Sequence, residues 1–208
     1  MASDLPPRPL SFPLVYWPRD LISYTPTEHS REAYETVVAW HSGLPERHRL
    51  KDGVPVDREG CGGGLLLCGP YGTRKTTLAA AALVSSYLQG RTVMFVRFAE
   101  LADARQPRQI AGPASCAEIE RAHRLVTEAR GADLLLVDSV DGRNPSRFSA
   151  DVFDDLLRGR YLSGKPTIIT SALRMDEWAE RYGESGASFL YEACADVVFI
   201  GGPSLRGR

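Results

Sequence analysis

The segment 69–76 constrains the fold of this chain more than any other stretch. It reads G-P-Y-G-T-R-K-T and follows the phosphate-loop pattern G-x-x-x-x-G-K-S/T, except that Arg74 stands where the second glycine belongs. An apolar run over 64–68 precedes it and an alanine-rich run follows it, which is the order strand, turn, helix. In that context N–H groups at the helix N-terminus would face a phosphate, Lys75 would reach its outer oxygens, and Thr76 would offer its hydroxyl to Mg²⁺. The alternative is an ordinary turn before a helix, which the flanking runs disfavour.

Four more apolar runs alternate with segments that favour helices. With the phosphate-loop motif, this alternation predicts an α/β fold of the P-loop NTPase type, with a parallel five-stranded sheet and helices on both faces. The further strands are predicted at 91–97, 133–138, 167–171 and 197–200. Helices are predicted at 30–40, 77–90, 98–104, 115–129, 149–161 and 175–182.

The composition is that of a globular domain, with 208 residues of which 43% are hydrophobic and 25% are charged. No apolar run approaches the length of a membrane span and no signal pattern opens the chain, so we predict a cytoplasmic protein without membrane contact. The four cysteines are scattered, which favours reduced structural thiols over a metal site or disulfides. A net charge of −1 excludes bulk attraction to nucleic acid, so a DNA contact would need a local patch or several copies.

Residues 1–20 are predicted to form an extended arm, and residues 21–208 the P-loop domain. Five prolines lie among the first 18 positions and disfavour both a helix and a central strand there. Phe12, Tyr16 and Trp17 are aromatic anchors within this arm. They either pack on their own domain or contact a partner, and the sequence leaves both interpretations open.

Asp138 ends the apolar run D-L-L-L-V-D. A carboxylate at a strand end beside the phosphate loop can hold Mg²⁺ opposite Thr76. The two motifs together, about 60 residues apart, predict a site for ATP or ADP with Mg²⁺. The predicted nucleotide-binding residues are Gly69, Pro70, Tyr71, Gly72, Thr73, Arg74, Lys75, Thr76 and Thr77.

With both motifs placed, the chain resembles the AAA+ ATPases of the DnaC/IstB-like class, the bacterial helicase loaders and their transposition relatives. The resemblance runs from about Leu21 to Arg206. It rests on the two motifs above, on K-P-T-I-I-T-S-A-L, and on the closing S-F-L-Y-E and G-G-P-S-L-R. It implies ATP binding between neighbouring subunits, a helical or ring assembly, contact with single-stranded DNA, and loading of a replicative helicase.

Four positions depart from the pattern of that class. Arg74 replaces the loop glycine, and Ser139 replaces the second acid, which orients the attacking water. Ala172 replaces the sensor asparagine, and Phe189 replaces the arginine finger. A missing general base is worth about 10²–10⁴ in rate and a missing finger about 10³–10⁵, so we predict weak or absent hydrolysis. If position 74 needs φ > 0, a residue with a Cβ costs about 1–2 kcal/mol there, and the Arg74 side chain either fills the phosphate seat or points outward or adds a phosphate contact, so we predict retained but weakened nucleotide binding. Asp141 is interpreted as a solvated turn residue rather than a substitute acid.

These features predict a helicase-loader-like nucleotide-binding protein of DNA replication or transposition. It would act by binding a replicative helicase or another protein partner and single-stranded DNA, and it would form a homo-oligomer. One alternative is a nucleotide-independent pseudo-ATPase adaptor. Another is a small-molecule P-loop phosphotransferase, which the lack of an evident arginine-rich lid disfavours. The candidate DNA contacts are Arg97, Arg105 and Arg108, although scattered arginines are more often solvated surface.

Overall fold

The computed structural model describes residues 6–47, 50–51, 54–55, 63–105, 116–141, 147–174 and 176–206. Its strands are β1 (Leu50–Lys51), β2 (Val54–Pro55), β3 (Gly64–Cys68), β4 (Val93–Arg97), β5 (Leu134–Asp138), β6 (Thr167–Ser171) and β7 (Cys194–Phe199). Its α-helices are α1 (Arg31–Arg47), α2 (Lys75–Leu88), α3 (Phe98–Arg105), α4 (Cys116–Gly131), α5 (Arg147–Leu162) and α6 (Glu177–Ala193). Short 3₁₀ turns cover Leu14–Tyr16 and Glu28–Ser30.

Five strands form one parallel sheet in the order β4-β5-β6-β3-β7, which confirms the predicted architecture. The strand before the phosphate loop, β3, lies between two others, with Leu66 opposite Ile169 on one side and Val197 on the other. The carboxyl ends of parallel strands meet at one edge of the sheet, so the loops after β3, β5 and β6 are neighbours there. β1 and β2 form a separate antiparallel pair.

Alternate side chains of the sheet pack against helices on opposite faces. Leu65 and Leu67 of β3 lie in a cluster with residues of α1 and α2, whereas Leu66 lies in a second cluster with residues of α3, α4, α5 and α6. All three leucines are fully buried. Burial of one such side chain stabilises the fold by about 1.5–3 kcal/mol. A core on both faces therefore explains why β3 is an uninterrupted apolar run.

The N-terminal segment packs along α2 and β4, so the predicted boundary at residue 20 is not a break in packing. Phe12 is 1% exposed, and its ring centroid lies 6.0 Å from that of Phe95 in β4. The hydroxyl of Tyr87 in α2 donates a hydrogen bond of 2.7 Å to the carbonyl of Pro7. Phe12 therefore packs on its own domain, and the prediction that it contacts a partner is wrong because its ring is inaccessible.

The other two predicted anchors are only partly covered. Tyr16 and Trp17 are half-buried, and the ring centroid of Trp17 lies 5.8 Å from that of Tyr87 in an edge-on arrangement. Leu14 and Val15, between them and Phe12, are 73% and 71% exposed. A partner contact by Tyr16 and Trp17 stays a prediction.

Some predicted element boundaries are wrong. Helix α1 does not end at Gly43 but continues to Arg47, because Leu44 completes its apolar side and is fully buried. Helix α6 runs on to Ala193, with a non-helical φ of 79° at Gly183. The last strand consequently spans 194–199 instead of 197–200. Within the described residues, no helix is long and apolar enough to cross a membrane.

Arg160 in α5 is a structural residue, since only 1% of it is exposed. Its guanidinium donates hydrogen bonds of 2.8 Å to the carbonyls of Ala129 and Ala132, and one of 2.6 Å to the carbonyl of Pro166. Burial lowers the pKa of Arg160 to about 9. The side chain ties the end of α4 to the start of β6 on the side of the sheet away from the phosphate loop.

Candidate nucleotide-binding site

The phosphate loop joins β3 to α2 and packs against the C-terminal segment. Gly69 has a φ of 137° and Gly72 a φ of 84°, backbone conformations that favour glycine. A Cβ at Gly69 would lie 2.2 Å from the carbonyl oxygen of Ile200, and a Cβ at Gly72 would lie 2.1 Å from Ser204 Oγ. The N–H of Leu205 donates to the carbonyl of Gly72 over 3.0 Å. Both glycines are therefore required where the C-terminal segment covers the loop.

Arg74 occupies the left-handed region, with φ 65° and ψ 26°. The motif has glycine at this position, and a residue with a Cβ there costs about 1–2 kcal/mol. The Arg74 side chain is exposed and lines the cleft beside the loop. The departure from glycine thus leaves the loop conformation in place at a cost in stability.

The amine of Lys75 is folded back onto its own loop. Its Nζ donates hydrogen bonds of 2.6 Å to the carbonyl of Gly69 and 2.7 Å to that of Pro70. The residue is 9% exposed, and burial lowers its pKa, an effect that the nearby Asp141 carboxylate opposes. When a phosphate binds in the loop, the Lys75 amine would therefore leave these two carbonyls and donate hydrogen bonds to phosphate oxygens instead.

Thr76 and Asp138 are in direct contact. The hydroxyl of Thr76, in the first turn of α2, donates 2.7 Å to Asp138 Oδ1 at the end of β5. The same oxygen accepts a 2.7 Å hydrogen bond from the hydroxyl of Thr170, and Asp138 Oδ2 accepts one of 3.2 Å from Ser139 Oγ. Three hydroxyls thus hold a carboxylate that is only 8% exposed. The two side chains assigned to a metal ion from the sequence share one location.

The interpretation of Asp141 as a solvated turn residue is wrong, because it is 6% exposed and lines the cleft. Its Oδ2 accepts a 2.6 Å hydrogen bond from the hydroxyl of Tyr71, and its Oδ1 accepts one of 2.7 Å from the N–H of Ala172. Ser139 has a φ of 57°, and the N–H of Val140 donates to a carbonyl at the end of β6. This turn brings residue 141 back towards the loop.

A cleft of about 160 Å³ lies between the phosphate loop, the first turn of α2 and the ends of β5 and β6. Sequence reasoning missed that Tyr16, Leu205 and Arg206 line it together with the loop. The guanidinium of Arg206 lies 6.0 Å from the ring centroid of Tyr71. Leu205 and Arg206 end the closing motif G-G-P-S-L-R and Tyr16 lies in the N-terminal arm, but nothing in these local patterns places them beside the phosphate loop, which is far away along the chain.

Other predicted residues lie outside this cleft. Arg97 is exposed at the end of β4 and forms an ion pair of 2.6 Å with Glu100. The side chain of Arg105 and all of Arg108 lie outside the described residues, so their DNA contacts stay predictions. Phe189 is 8% exposed, and the guanidinium of Arg158 lies 4.1 Å from its ring centroid.

The residues at the cleft fit a nucleotide with Mg²⁺. Magnesium prefers oxygen ligands, and the hydroxyl of Thr76 and the carboxylate of Asp138 offer two at one place. The first turn of α2 leaves backbone N–H groups without intrahelical partners beside Lys75, which suits an anion. The loop, the hydroxyl and the carboxylate therefore provide donors for a phosphate and ligands for its metal ion.

Three solved structures of replication proteins share this fold. A DnaC helicase loader matches with a TM-score of 0.64 and 19% identity over 92% of this chain and 100% of that one. DnaI matches with a TM-score of 0.66 and 17% identity over 94% of this chain and 94% of that one. The replication initiator DnaA, bound to AMPPCP and single-stranded DNA, matches with a TM-score of 0.64 and 19% identity over 88% of this chain and 50% of that one. This chain thus spans about half the length of that protein.

A comparison with curated proteins gives no match. The family of IstB-like ATP-binding proteins matches residues 60–206, a range that begins just before β3 and includes the whole parallel sheet and every residue that lines the cleft except Tyr16. The match covers well over half of the chain. On the combined basis of the phosphate loop, the strand order and this match, the chain belongs to the family of IstB-like ATP-binding proteins.

Proposed function

We propose that this protein binds ATP or ADP with Mg²⁺ in the cleft and hydrolyses ATP weakly. It acts in DNA replication or transposition by binding a replicative helicase or a related protein. The observation that carries the proposal is the 2.7 Å contact between Thr76 and Asp138 beside the phosphate loop. A hydroxyl and a carboxylate at this position supply ligands for the metal ion of a bound triphosphate.

Nucleotide binding requires that Lys75 turn from the loop carbonyls to phosphate oxygens. Hydrogen bonds from this amine to phosphate oxygens gain an attraction of opposite charges that its hydrogen bonds to carbonyls lack. Arg74 adds a second cation at the mouth of the cleft. These charges support retained nucleotide binding, whereas the strained backbone at Arg74 supports a lower affinity than that of a phosphate loop with glycine at this position.

Weak hydrolysis is supported by the side chains that replace catalytic groups of the family pattern. Ser139 offers a hydroxyl that is already bonded to Asp138 over 3.2 Å, and a hydroxyl is a poor base. Ala172 offers no side-chain donor. Phe189 is packed under Arg158 and carries no charge for a neighbour's phosphate.

The partner is proposed from the relatives. The DnaC structure is that of a helicase loader, and the DnaA structure holds single-stranded DNA. A protein of this fold that lacks most of the groups for ATP hydrolysis would act by binding its partner while nucleotide is bound. Tyr16 is half-buried and lines the cleft, so a partner that contacts Tyr16 and Trp17 would sense the nucleotide.

A second candidate is a nucleotide-independent adaptor. The observation that favours it is the buried amine of Lys75, whose hydrogen bonds are satisfied by the loop carbonyls of Gly69 and Pro70. In this function the loop is a structural turn and the partner binds regardless of ligand.

The deciding experiment measures nucleotide binding and partner binding on the same protein. A fluorescent ADP is titrated with Mg²⁺ against the native chain, Lys75→Ala and Lys165→Ala, the last being a matched lysine remote from the cleft. We expect Lys75→Ala to weaken binding roughly tenfold or more, through loss of a charged hydrogen-bond donor, and Lys165→Ala to leave it unchanged.

Capture of partners from the native host, with ADP and Mg²⁺ or with EDTA alone, separates the two candidates. If a helicase is captured with ADP and Mg²⁺ but not in EDTA, the nucleotide-binding function is supported. No ADP binding by the native chain, with capture unchanged in EDTA, supports the adaptor. ATP turnover at several per second, stimulated by DNA, contradicts weak hydrolysis.

A further inference from the structure

The cleft contains a second carboxylate besides the one assigned to Mg²⁺. Asp141 is 6% exposed, and each of its oxygens is held by one donor: the hydroxyl of Tyr71 at 2.6 Å and the N–H of Ala172 at 2.7 Å. An ionised carboxylate has about four acceptor positions, so two remain for other donors. The side chain is therefore fixed in orientation and still able to accept a hydrogen bond from water.

The surrounding backbone positions this carboxylate. The left-handed turn at Ser139, with φ 57°, is followed by the fully buried Val140. The guanidinium of Arg181 donates 2.8 Å to the carbonyl of Asp141, and the hydroxyl of Tyr182 donates 2.6 Å to that of Val140. Helix α6 thus anchors the backbone of the loop after β5, while the Asp141 carboxylate lines the cleft.

Asp141 and Lys75, the residue that would hold the outer phosphate, line the same cleft. Tyr71 lies between them: its hydroxyl donates to Asp141, and its ring centroid is 5.9 Å from Lys75 Nζ. Asp138 instead accepts the hydroxyl of Thr76. The two acids therefore have different partners, Asp138 the hydroxyl assigned to the metal ion and Asp141 the tyrosine beside the lysine.

We infer that Asp141 is the acid that orients the attacking water and accepts its proton in the residual hydrolysis of ATP, in place of the acid missing at Ser139. The water oxygen forms a bond to the γ-phosphorus while the bond from that phosphorus to the ADP oxygen breaks. The water proton passes to Asp141 and then to solvent, and the products are ADP and inorganic phosphate. Tyr71, which is 57% exposed, is a positioning residue for this acid.

This inference rests on the proposed nucleotide binding, and its test separates the two. Single-turnover hydrolysis with protein in excess is measured for the native chain, Asp141→Asn, Asp141→Glu and Asp151→Asn, the last an exposed aspartate of α5. We expect Asp141→Asn to lower the rate roughly 10²-fold or more, Asp141→Glu to retain part of it, and Asp151→Asn to leave it unchanged. An unchanged rate in Asp141→Asn, or no hydrolysis by the native chain, overturns the inference.

A binding measurement gives an independent readout. Affinity is compared for ADP alone and for ADP with aluminium fluoride, which imitates the transferred phosphoryl group. We expect the native chain to bind the second combination more tightly, and Asp141→Asn to lose this gain while its affinity for ADP stays within about twofold. A gain that persists in Asp141→Asn overturns the inference, whereas a native chain that binds no ADP refutes the proposed function itself.

If circular dichroism shows that Asp141→Asn does not fold, Tyr71→Phe takes its place. This change removes the hydroxyl that donates a hydrogen bond to Asp141, and it does so at an exposed position. We expect the single-turnover hydrolysis rate of Tyr71→Phe, measured with enough protein to bind all the ATP, to fall roughly tenfold through loss of one hydrogen bond to a charged group. An unchanged rate overturns the role of Asp141 as a positioned acid.

Discussion

The hydroxyl of Thr76 lies 2.7 Å from Asp138 Oδ1, although the two residues are 62 positions apart in the chain. The contact joins the first turn of α2 to the end of β5, and it exists because β3 and β5 point the same way and end at one edge of the sheet. Asp138 is 8% exposed and held by three hydroxyls, so its orientation is fixed before any ligand enters.

Asp138→Asn tests this contact through its metal dependence. The change removes the negative charge but keeps the size, so we expect affinity for ADP with Mg²⁺ to fall roughly tenfold and affinity for ADP in EDTA to stay unchanged. Titration of a fluorescent nucleotide under both conditions measures the effect, with Asp151→Asn as control. An equal loss with and without Mg²⁺ would show that Asp138 supports the loop and not a metal ion.

Arg74→Gly should stabilise the fold. The position has φ 65°, where a residue with a Cβ is strained, so glycine should raise the free energy of unfolding by about 1 kcal/mol. Urea unfolding measures it. Arg74→Ala is the matched control, since it removes the guanidinium and keeps the Cβ. If Arg74→Ala proves as stable as Arg74→Gly, the charge and not the backbone is the source of the strain.

His41 should make stability depend on pH. It is 6% exposed with Nε2 at 3.0 Å from Ser86 Oγ, and burial, aided by Arg91, lowers its pKa to about 4 from the ordinary 6.5. Between these values the unfolded chain binds a proton that the folded chain does not. The buried, neutral His41 therefore stabilises the folded state fully above pH 6.5, and this stabilisation is lost as the pH falls from 6.5 towards 4.

We expect unfolding free energy to drop by about 2 kcal/mol from pH 7.5 to pH 4.5 through this residue. Urea unfolding at both values, compared with His41→Gln, isolates the effect because glutamine does not titrate. The same drop in both proteins would assign the pH dependence to other groups.

Phe12→Ala tests whether the N-terminal segment belongs to the core. Removing a ring that is 1% exposed should cost about 3–5 kcal/mol of stability. Leu14→Ala, at a position that is 73% exposed, should change stability by less than about 0.5 kcal/mol. Chemical denaturation compares them. Equal stability of the two variants would mean that the segment docks loosely and is available to a partner.

Much of the phosphate site was predictable from local sequence. The order of strand, glycine turn and helix around Lys75 depends on residues that are neighbours in the chain, and so does the carboxylate that ends the run before Ser139. Parallel strands alternating with helices then bring such ends together. The same reasoning failed for helix α1, which passes Gly43 because burial of Leu44 outweighs the cost of a glycine inside a helix.

The sequence by itself determined the phosphate loop, the pairing of Thr76 with Asp138 and the parallel sheet, because each follows from local composition and from the alternation of strands and helices. Only the tertiary structure decided that Asp141 enters the cleft, that Phe12 is a core residue, and that the C-terminal segment covers the loop glycines. Those contacts depend on one left-handed turn and on packing between segments far apart in the chain, which no local pattern encodes.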